Sequence, residues 1–145
     1  MYFVDRDKIE KTLLYMDGLI QELGNHHFDS FLEKLSLERM VHMTIESLLD
    51  VGNMMIDGFI MRDPGSFTDI IDILVDEQVL PTSESDHYKE IINLRKMLIK
   101  EYLTVDHNHL LTVISENKNS LDLFSERIRK YLETETGVAT TFLND

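Results

Sequence analysis

The chain has 145 residues, of which 43% are hydrophobic and 28% are charged, a balance typical of one soluble globular domain rather than a disordered chain. It contains no cysteine, which excludes disulfide scaffolds and thiolate metal sites. The formal net charge of −13 argues against broad nucleic-acid binding, because phosphates require a positive surface. A protein of this charge can act on RNA only through a local basic patch or with a partner.

Apolar residues recur at helical spacing along most of the chain, and no window alternates as a half-buried strand does. The predicted helices cover about residues 5–23, 34–61, 66–77, 83–104 and 107–135. We therefore predict an all-α, up-and-down bundle of four long helices and one short helix, forming one domain over 1–135. We expect a mobile tail over 136–145.

Targeting signals are absent from the sequence. The N-terminus lacks the basic stretch and apolar run of a signal peptide. No apolar segment approaches the roughly 20 residues that span a bilayer. We therefore expect a cytoplasmic protein without a membrane partner.

Local signals predict helix ends and one close approach. Asp5, Ser66 and Ser83 are predicted N-caps. Gly52 and Gly58 lie inside the second predicted helix, where each costs about 1 kcal/mol relative to alanine. Such a cost is commonly offset when another helix or a second subunit approaches closely.

A polar stripe follows the second predicted helix, at spacings of four, four, three and four: His42, Glu46, Asp50, Asn53 and Asp57. No lysine or arginine occurs between Val41 and Met61, although solvated faces usually mix both signs. Two interpretations stay open. The stripe is a solvated face, or it meets cations of the fourth predicted helix: Arg95, Lys96 or Lys100.

The fourth predicted helix carries an apolar face interrupted by a guanidinium and a phenol: Tyr88, Ile92, Arg95, Ile99 and Tyr102. An arginine in an apolar stripe needs a partner, because an unpaired buried charge is costly. The simplest expectation is an ion pair between Arg95 and a carboxylate of the second helix.

Other chemistry finds little support. The histidines do not form an HExxH pattern or a two-histidine i,i+4 pair, so we predict surface histidines and no metal site. No nucleophile elbow, phosphate loop or dinucleotide-binding loop occurs. Three basic residues near the end of the last helix suit its dipole or contact phosphate: Arg127, Arg129 and Lys130.

The fourth helix resembles the signature of HEPN domains, and specifically of HepT-like proteins. Their pattern is an arginine, a polar residue that is usually asparagine, three variable residues, a histidine, one residue and a tyrosine. Arg95 and Tyr102 match this pattern, whereas Lys96 replaces the asparagine and Lys100 replaces the histidine. The tract from Ile45 to Met61 also resembles the second helix of this group.

This resemblance implies a HEPN-like helical bundle that forms a homodimer, with the motif residues near the dimer interface. Active members are metal-independent ribonuclease toxins, which implies an RNA substrate and no cofactor. They are often encoded beside a minimal nucleotidyltransferase antitoxin. In such pairs the motif tyrosine, here Tyr102, can receive nucleotide groups that block the toxin.

The lysine at position 100 leaves two functions open. Cleavage needs a base for the ribose 2′-hydroxyl and a cation for the phosphate, and arginine suits the second role. Histidine suits the first, whereas lysine side chains ordinarily titrate near pH 10.4. The resemblance implies that Arg95 and Lys100 are the catalytic residues of a ribonuclease, and Lys96 is a candidate phosphate contact. The alternative is a degenerate homodimer that binds a nucleotide or a partner.

On a regular helix, positions 95 and 100 point about 140° apart. Arg95 and Lys100 can meet at one substrate only if the helix is distorted or a two-fold partner supplies one of them.

Overall fold

The computed structural model describes residues 3–135 as a helical bundle, and no strand occurs in that range. This part of the chain holds seven α-helices and two 3-10 turns: α1 (Arg6–Asn25), α2 (Phe31–Gly58), α3 (Phe67–Asp76), the turn Thr82–Glu84, α4 (Ser85–Ile92), α5 (Arg95–Lys100), the turn Tyr102–Thr104, α6 (His107–Glu116) and α7 (Lys118–Thr134). The all-α prediction is confirmed, although the helices are more numerous and shorter than expected. The predicted tail over 136–145 lies outside the described residues.

α1 and α2 form the hairpin at the centre of the bundle. The five apolar positions that predicted α1 are all buried: Ile9, Leu13, Met16, Ile20 and Leu23. α2 begins at Phe31, about three residues earlier than predicted, because Ser30 and Glu33 form a capping box. Apolar residues at positions around more than one side of α2 are buried, among them Leu37, Val41, Ile45, Leu48 and Leu49, so α2 packs on more than one face. None of the helices within residues 3–135 has the length and apolar character to cross a membrane.

The predicted helix over 83–104 is broken in three places: after the turn Thr82–Glu84, between α4 and α5, and between α5 and the turn Tyr102–Thr104. Its first turn is the 3-10 segment Thr82–Glu84, and α4 then ends at Ile92. The amide of Leu94 donates to the carbonyl of Ile91, an i→i−3 bond that tightens the backbone before α5 begins. As a result, the apolar face is buried in α4 but becomes exposed towards the end of α5.

The predicted helix over 107–135 is also interrupted, at Asn117. The Asn117 side chain is buried and donates its Nδ2 hydrogen to the carbonyl of Val113 at 2.8 Å. This bond caps the end of α6, and α7 starts at the next residue. The Asn117 side chain thus caps α6 at a point where periodicity alone predicts one continuous helix.

The predicted caps are confirmed at two of three positions. Asp5 and Ser66 accept backbone hydrogen bonds three residues ahead, from Lys8 and Asp69. The predicted cap at Ser83 is wrong, since the 3-10 turn precedes α4 and no side chain caps it.

The close approach predicted at the α2 glycines is confirmed. A Cβ added at Gly52 would lie 2.5 Å from Cγ2 of Ile70 on α3. One added at Gly58 would lie 2.9 Å from the backbone oxygen of Phe3. Glycine at these positions therefore lets α3 and the N-terminal segment contact the α2 backbone.

We expect Gly52→Ala to lower the free energy of unfolding by about 1–3 kcal/mol, because Ile70 is buried and its branched side chain has little freedom to move. Gly18→Ala is the matched control, since Gly18 also lies inside a helix but has nothing within 4 Å of its added Cβ. That variant is expected to gain up to about 1 kcal/mol. Urea titration of both variants measures the difference. Equal stabilities would contradict the close approach.

Candidate functional site

Arg95 occupies the first position of α5 and is held from two sides. Its Nε donates to Oε1 of Glu46 on α2 at 2.7 Å. Its Cζ lies 4.4 Å from the centroid of the Phe67 ring, a cation–π contact with the start of α3. The expected ion pair with the second helix is therefore present, and it orients the guanidinium. Within the described residues, neither Nη nitrogen of Arg95 makes a hydrogen bond, so both face solvent or a ligand.

The connection before α3 is fixed by Asp69, which helps to place Phe67. Both terminal nitrogens of Arg62 donate to the Asp69 carboxylate, at 2.8 and 2.9 Å, and the amide of Gly65 donates to it at 2.8 Å. The Arg62 hydrogen bonds, followed by that of Gly65, lower the pKa of Asp69 to about 2. The carboxylate therefore stays ionised at neutral pH and clamps the turn.

A groove of about 530 Å³ opens between the start of α3 and α5. Three cationic side chains line it together with the Phe67 ring: Arg95, Lys96 and Lys100. α5 is only six residues long and lies between two backbone breaks, so Arg95 and Lys100 reach one groove despite their angular separation. Lys96 also lies 3.8 Å from the Glu101 carboxylate, whereas Lys100 has no salt-bridge partner within residues 3–135.

Within the described residues, the polar stripe of α2 contacts a cation of the fourth predicted helix at Glu46 alone. Glu46 binds Arg95, whereas three other members are exposed and make no salt bridge within the described residues: Asp50, Asn53 and Asp57. Although Asp50 is exposed, partial loss of its solvation, followed by the charge of Glu46, raises its pKa. The proposed contacts of this stripe with Lys96 and Lys100 are therefore absent, and only the Arg95 contact is confirmed.

Tyr102 lies in the 3-10 turn after α5 and does not line the groove. Its side chain is 64% exposed, and the next residue, Leu103, is 86% exposed. The structure therefore brings Arg95, Lys96 and Lys100 together and leaves Tyr102 accessible beside them in the sequence.

Sequence reasoning missed two contacts that frame this region. Phe67 stacks on Arg95, although its position at a helix start gave no signal of that. His107 at the start of α6 binds Glu38 at 2.8 Å, and Glu38 lies one turn before His42 on α2. The spacing Glu38, His42, Glu46 continues the polar stripe backwards by one turn and could have revealed the second contact.

Known proteins match this chain over most of its length. A model of the family described as "HepT-like: Ribonuclease HepT-like" matches residues 8–128. The chain is 48% identical over 143 residues to "Putative RNase YutE" of Bacillus subtilis (strain 168), covering 98% of this chain and 99% of that protein. This chain belongs to the HepT-like ribonuclease family.

Solved structures agree with the HepT-like fold. The structure of YutE from Bacillus subtilis, described as a cytosolic protein of unknown function, matches with a TM-score of 0.90 and 46% identity over 96% of each chain. A toxin–antitoxin structure with AMP-PNP matches with a TM-score of 0.74 over 85% of this chain and 98% of that chain. Its identity is 16%, so that likeness concerns the fold alone.

Two of the basic residues of α7 form ion pairs with other segments of the bundle. Arg127 binds the buried Glu84 at 2.6 Å, and Arg129 binds Glu10 at 2.9 Å. These ion pairs answer the open question about the α7 cations in favour of structure for both arginines. No group of three histidine, aspartate or glutamate side chains within residues 3–135 is arranged to hold a metal ion.

Proposed function

We propose that this HepT-like chain is a metal-independent ribonuclease toxin that cleaves RNA with Arg95 and Lys100. The observation that carries the proposal is the groove in which an oriented guanidinium and two lysine ammonium groups converge. A guanidinium with both Nη groups unpaired matches two oxygens of a phosphate. Family membership supports the same chemistry, as does the RNase name of a relative that is 48% identical.

The roles of the cations follow from their ordinary charge. Arg95 binds the scissile phosphate and stabilises the negative charge that develops on it. Lys100 lies in the same groove and supplies a second positive charge or a proton for the leaving oxygen. Lys96 contacts a neighbouring phosphate. This local patch answers the objection that arises from a net charge of −13.

The proposal includes a homodimer and an antitoxin. Apolar side chains are exposed beside the groove, among them Phe67 at 50% and Leu103 at 86%, and a second copy would cover them. Tyr102 is exposed and would accept a nucleotide group from a minimal nucleotidyltransferase. We also propose a cytoplasmic location, where such a pair would meet RNA.

A second candidate function is a degenerate homodimer that binds a nucleotide or a protein partner. Lys100 favours it, because lysine replaces the histidine of the family motif. In that case the groove keeps its phosphate affinity but lacks a base.

The test is incubation of the purified protein with a mixed RNA pool in excess chelator, beside Lys100→His and material from a mock purification. Light scattering of the same sample measures whether it is a dimer. We expect the wild type to cleave, because the groove already holds the phosphate-binding cations. Cleavage by Lys100→His alone would favour the binding module, since one residue would then silence an otherwise intact site. No cleavage by either protein would contradict the ribonuclease proposal.

A further inference from the structure

The ribonuclease chemistry needs an imidazole that position 100 does not provide. His42 on α2 is the histidine that lies beside the phosphate-binding arginine. Its Nε2 lies 3.4 Å from Oε1 of Glu46, the same oxygen that accepts the Arg95 hydrogen bond at 2.7 Å. The two nitrogens, His42 Nε2 and Arg95 Nε, are therefore no more than about 6 Å apart.

We propose that His42 is the general base of this site and takes the role of the motif histidine. This inference rests on the proposed ribonuclease function and deepens it. His42 does not line the groove itself but lies on the Glu46 side of Arg95, so this role requires the ribose next to the Arg95-bound phosphate to extend towards α2. The His42 side chain is 28% exposed, which leaves it accessible to such a substrate.

The orientation of the ring suits a base. In the tautomer that carries its proton on Nε2, that nitrogen faces the Glu46 carboxylate at 3.4 Å. The other nitrogen, Nδ1, has no hydrogen-bond partner within residues 3–135 and is left to accept a proton. Glu46 then stabilises the imidazolium that forms, as the carboxylate does in a Ser-His-Asp arrangement.

The charged groups around His42 are few and defined. On α2, Glu38 and Glu46 lie one turn away on either side of it, and Arg39 lies three residues before it. Arg95 faces Glu46 from α5, and His107 faces Glu38 from α6. Glu46 is thus shared between Arg95 and His42, whereas Glu38 contacts His107.

The proposed step balances without a co-reactant. Nδ1 of neutral His42 takes the proton of the 2′-hydroxyl, and the 2′-oxygen forms a bond to phosphorus. The bond between phosphorus and the 5′-oxygen breaks, and the Lys100 ammonium gives that oxygen a proton. The products are a 2′,3′-cyclic phosphate and a 5′-hydroxyl. Arg95 binds the phosphoryl oxygens throughout.

The test compares RNA cleavage rates in excess chelator for the wild type, His42→Ala, His42→Gln and Lys100→His. His109→Ala is the matched control, since His109 is an exposed histidine on α6 that does not line the groove and forms no ion pair with Glu46. We expect both His42 variants to lose about 10²–10⁴-fold in rate. We expect the pH profile of the wild-type rate to show the limb of one titrating base, and this limb to disappear in His42→Ala. Added imidazole should partly restore that variant, an effect that a structural role would not produce.

The outcomes separate the role of His42 from the function itself. Cleavage by the wild type with unchanged rate and pH profile in both His42 variants would overturn the role of His42 and keep the ribonuclease. Cleavage by Lys100→His alone would also overturn it, because the imidazole would then be required at position 100. Absence of cleavage in every protein would overturn the ribonuclease, and the assignment of His42 would fall with it.

Discussion

Arg95→Ala is expected to slow RNA cleavage by about 10²–10³-fold, the range seen when one preorganised donor to a developing negative charge is removed. The guanidinium is oriented before substrate arrives, by Glu46 through Nε and by the Phe67 ring. Its loss therefore removes charge stabilisation that water or a flexible side chain cannot replace. Arg95→Lys should recover little of the rate, because an ammonium lacks the planar fork that binds two phosphate oxygens.

Arg129→Ala is the matched control for this prediction. Arg129 also donates through Nε to a carboxylate of another helix, Glu10, at 2.9 Å, and its side chain is similarly exposed. Both alanine variants lose a partly exposed ion pair, so both should lose about 1 kcal/mol of stability or less. Cleavage should fall only in Arg95→Ala. Equal rates for the two variants, with equal melting temperatures, would contradict the role of Arg95.

Glu84→Ala is expected to lower the free energy of unfolding by about 2–4 kcal/mol, because it removes one partner of a buried ion pair. The Glu84 side chain is buried and accepts hydrogen bonds from Tyr88 at 2.9 Å and from Arg127 at 2.6 Å. Removal of the carboxylate leaves the guanidinium of Arg127 without its partner. Glu90→Ala is the control, since Glu90 lies on α4, directly after the turn that holds Glu84, but is exposed. Urea titration at pH 7 measures both.

The pH dependence of stability gives a second readout of the Glu84 network. Burial raises the pKa of Glu84, but the hydrogen bonds from Arg127 and then Tyr88 outweigh it, so the net pKa lies below its ordinary value of 4.5. Burial, followed by the hydrogen bond to Glu84, raises the pKa of Tyr88, which therefore remains a donor at neutral pH. A lowered carboxylate pKa stabilises the fold above the unfolded-state pKa and is lost as pH falls through the folded-state value. The stability difference between the wild type and Glu84→Gln should thus shrink below about pH 4.5. A difference that stays constant down to pH 3 would contradict this linkage.

The need for a partner at Arg95 could be predicted from the sequence, but the identity of the partner could not. A guanidinium in an apolar stripe requires a carboxylate, and α2 offered Glu46, Asp50 and Asp57 at helical spacing. The choice among them depends on how far along α2 the short helix α5 lies. That register is set by side chains packed between the two helices, and the sequence of one helix alone does not specify it.

The all-α architecture, the faces of α1 and α2 and the close approaches at the α2 glycines were determined by the sequence, because helical periodicity and missing Cβ atoms are local properties. The breaks at Leu94 and Asn117 were decided by the tertiary structure, since a chain leaves the regular helix there only when the next segment gains enough by packing elsewhere. The breaks around α5 in turn bring Arg95 and Lys100 to one groove, and the packing of α5 on α2 places Arg95 beside Glu46 and His42. The residues of the candidate site could therefore be identified from a motif, but their convergence depends on contacts between segments that lie about 50 residues apart in the chain.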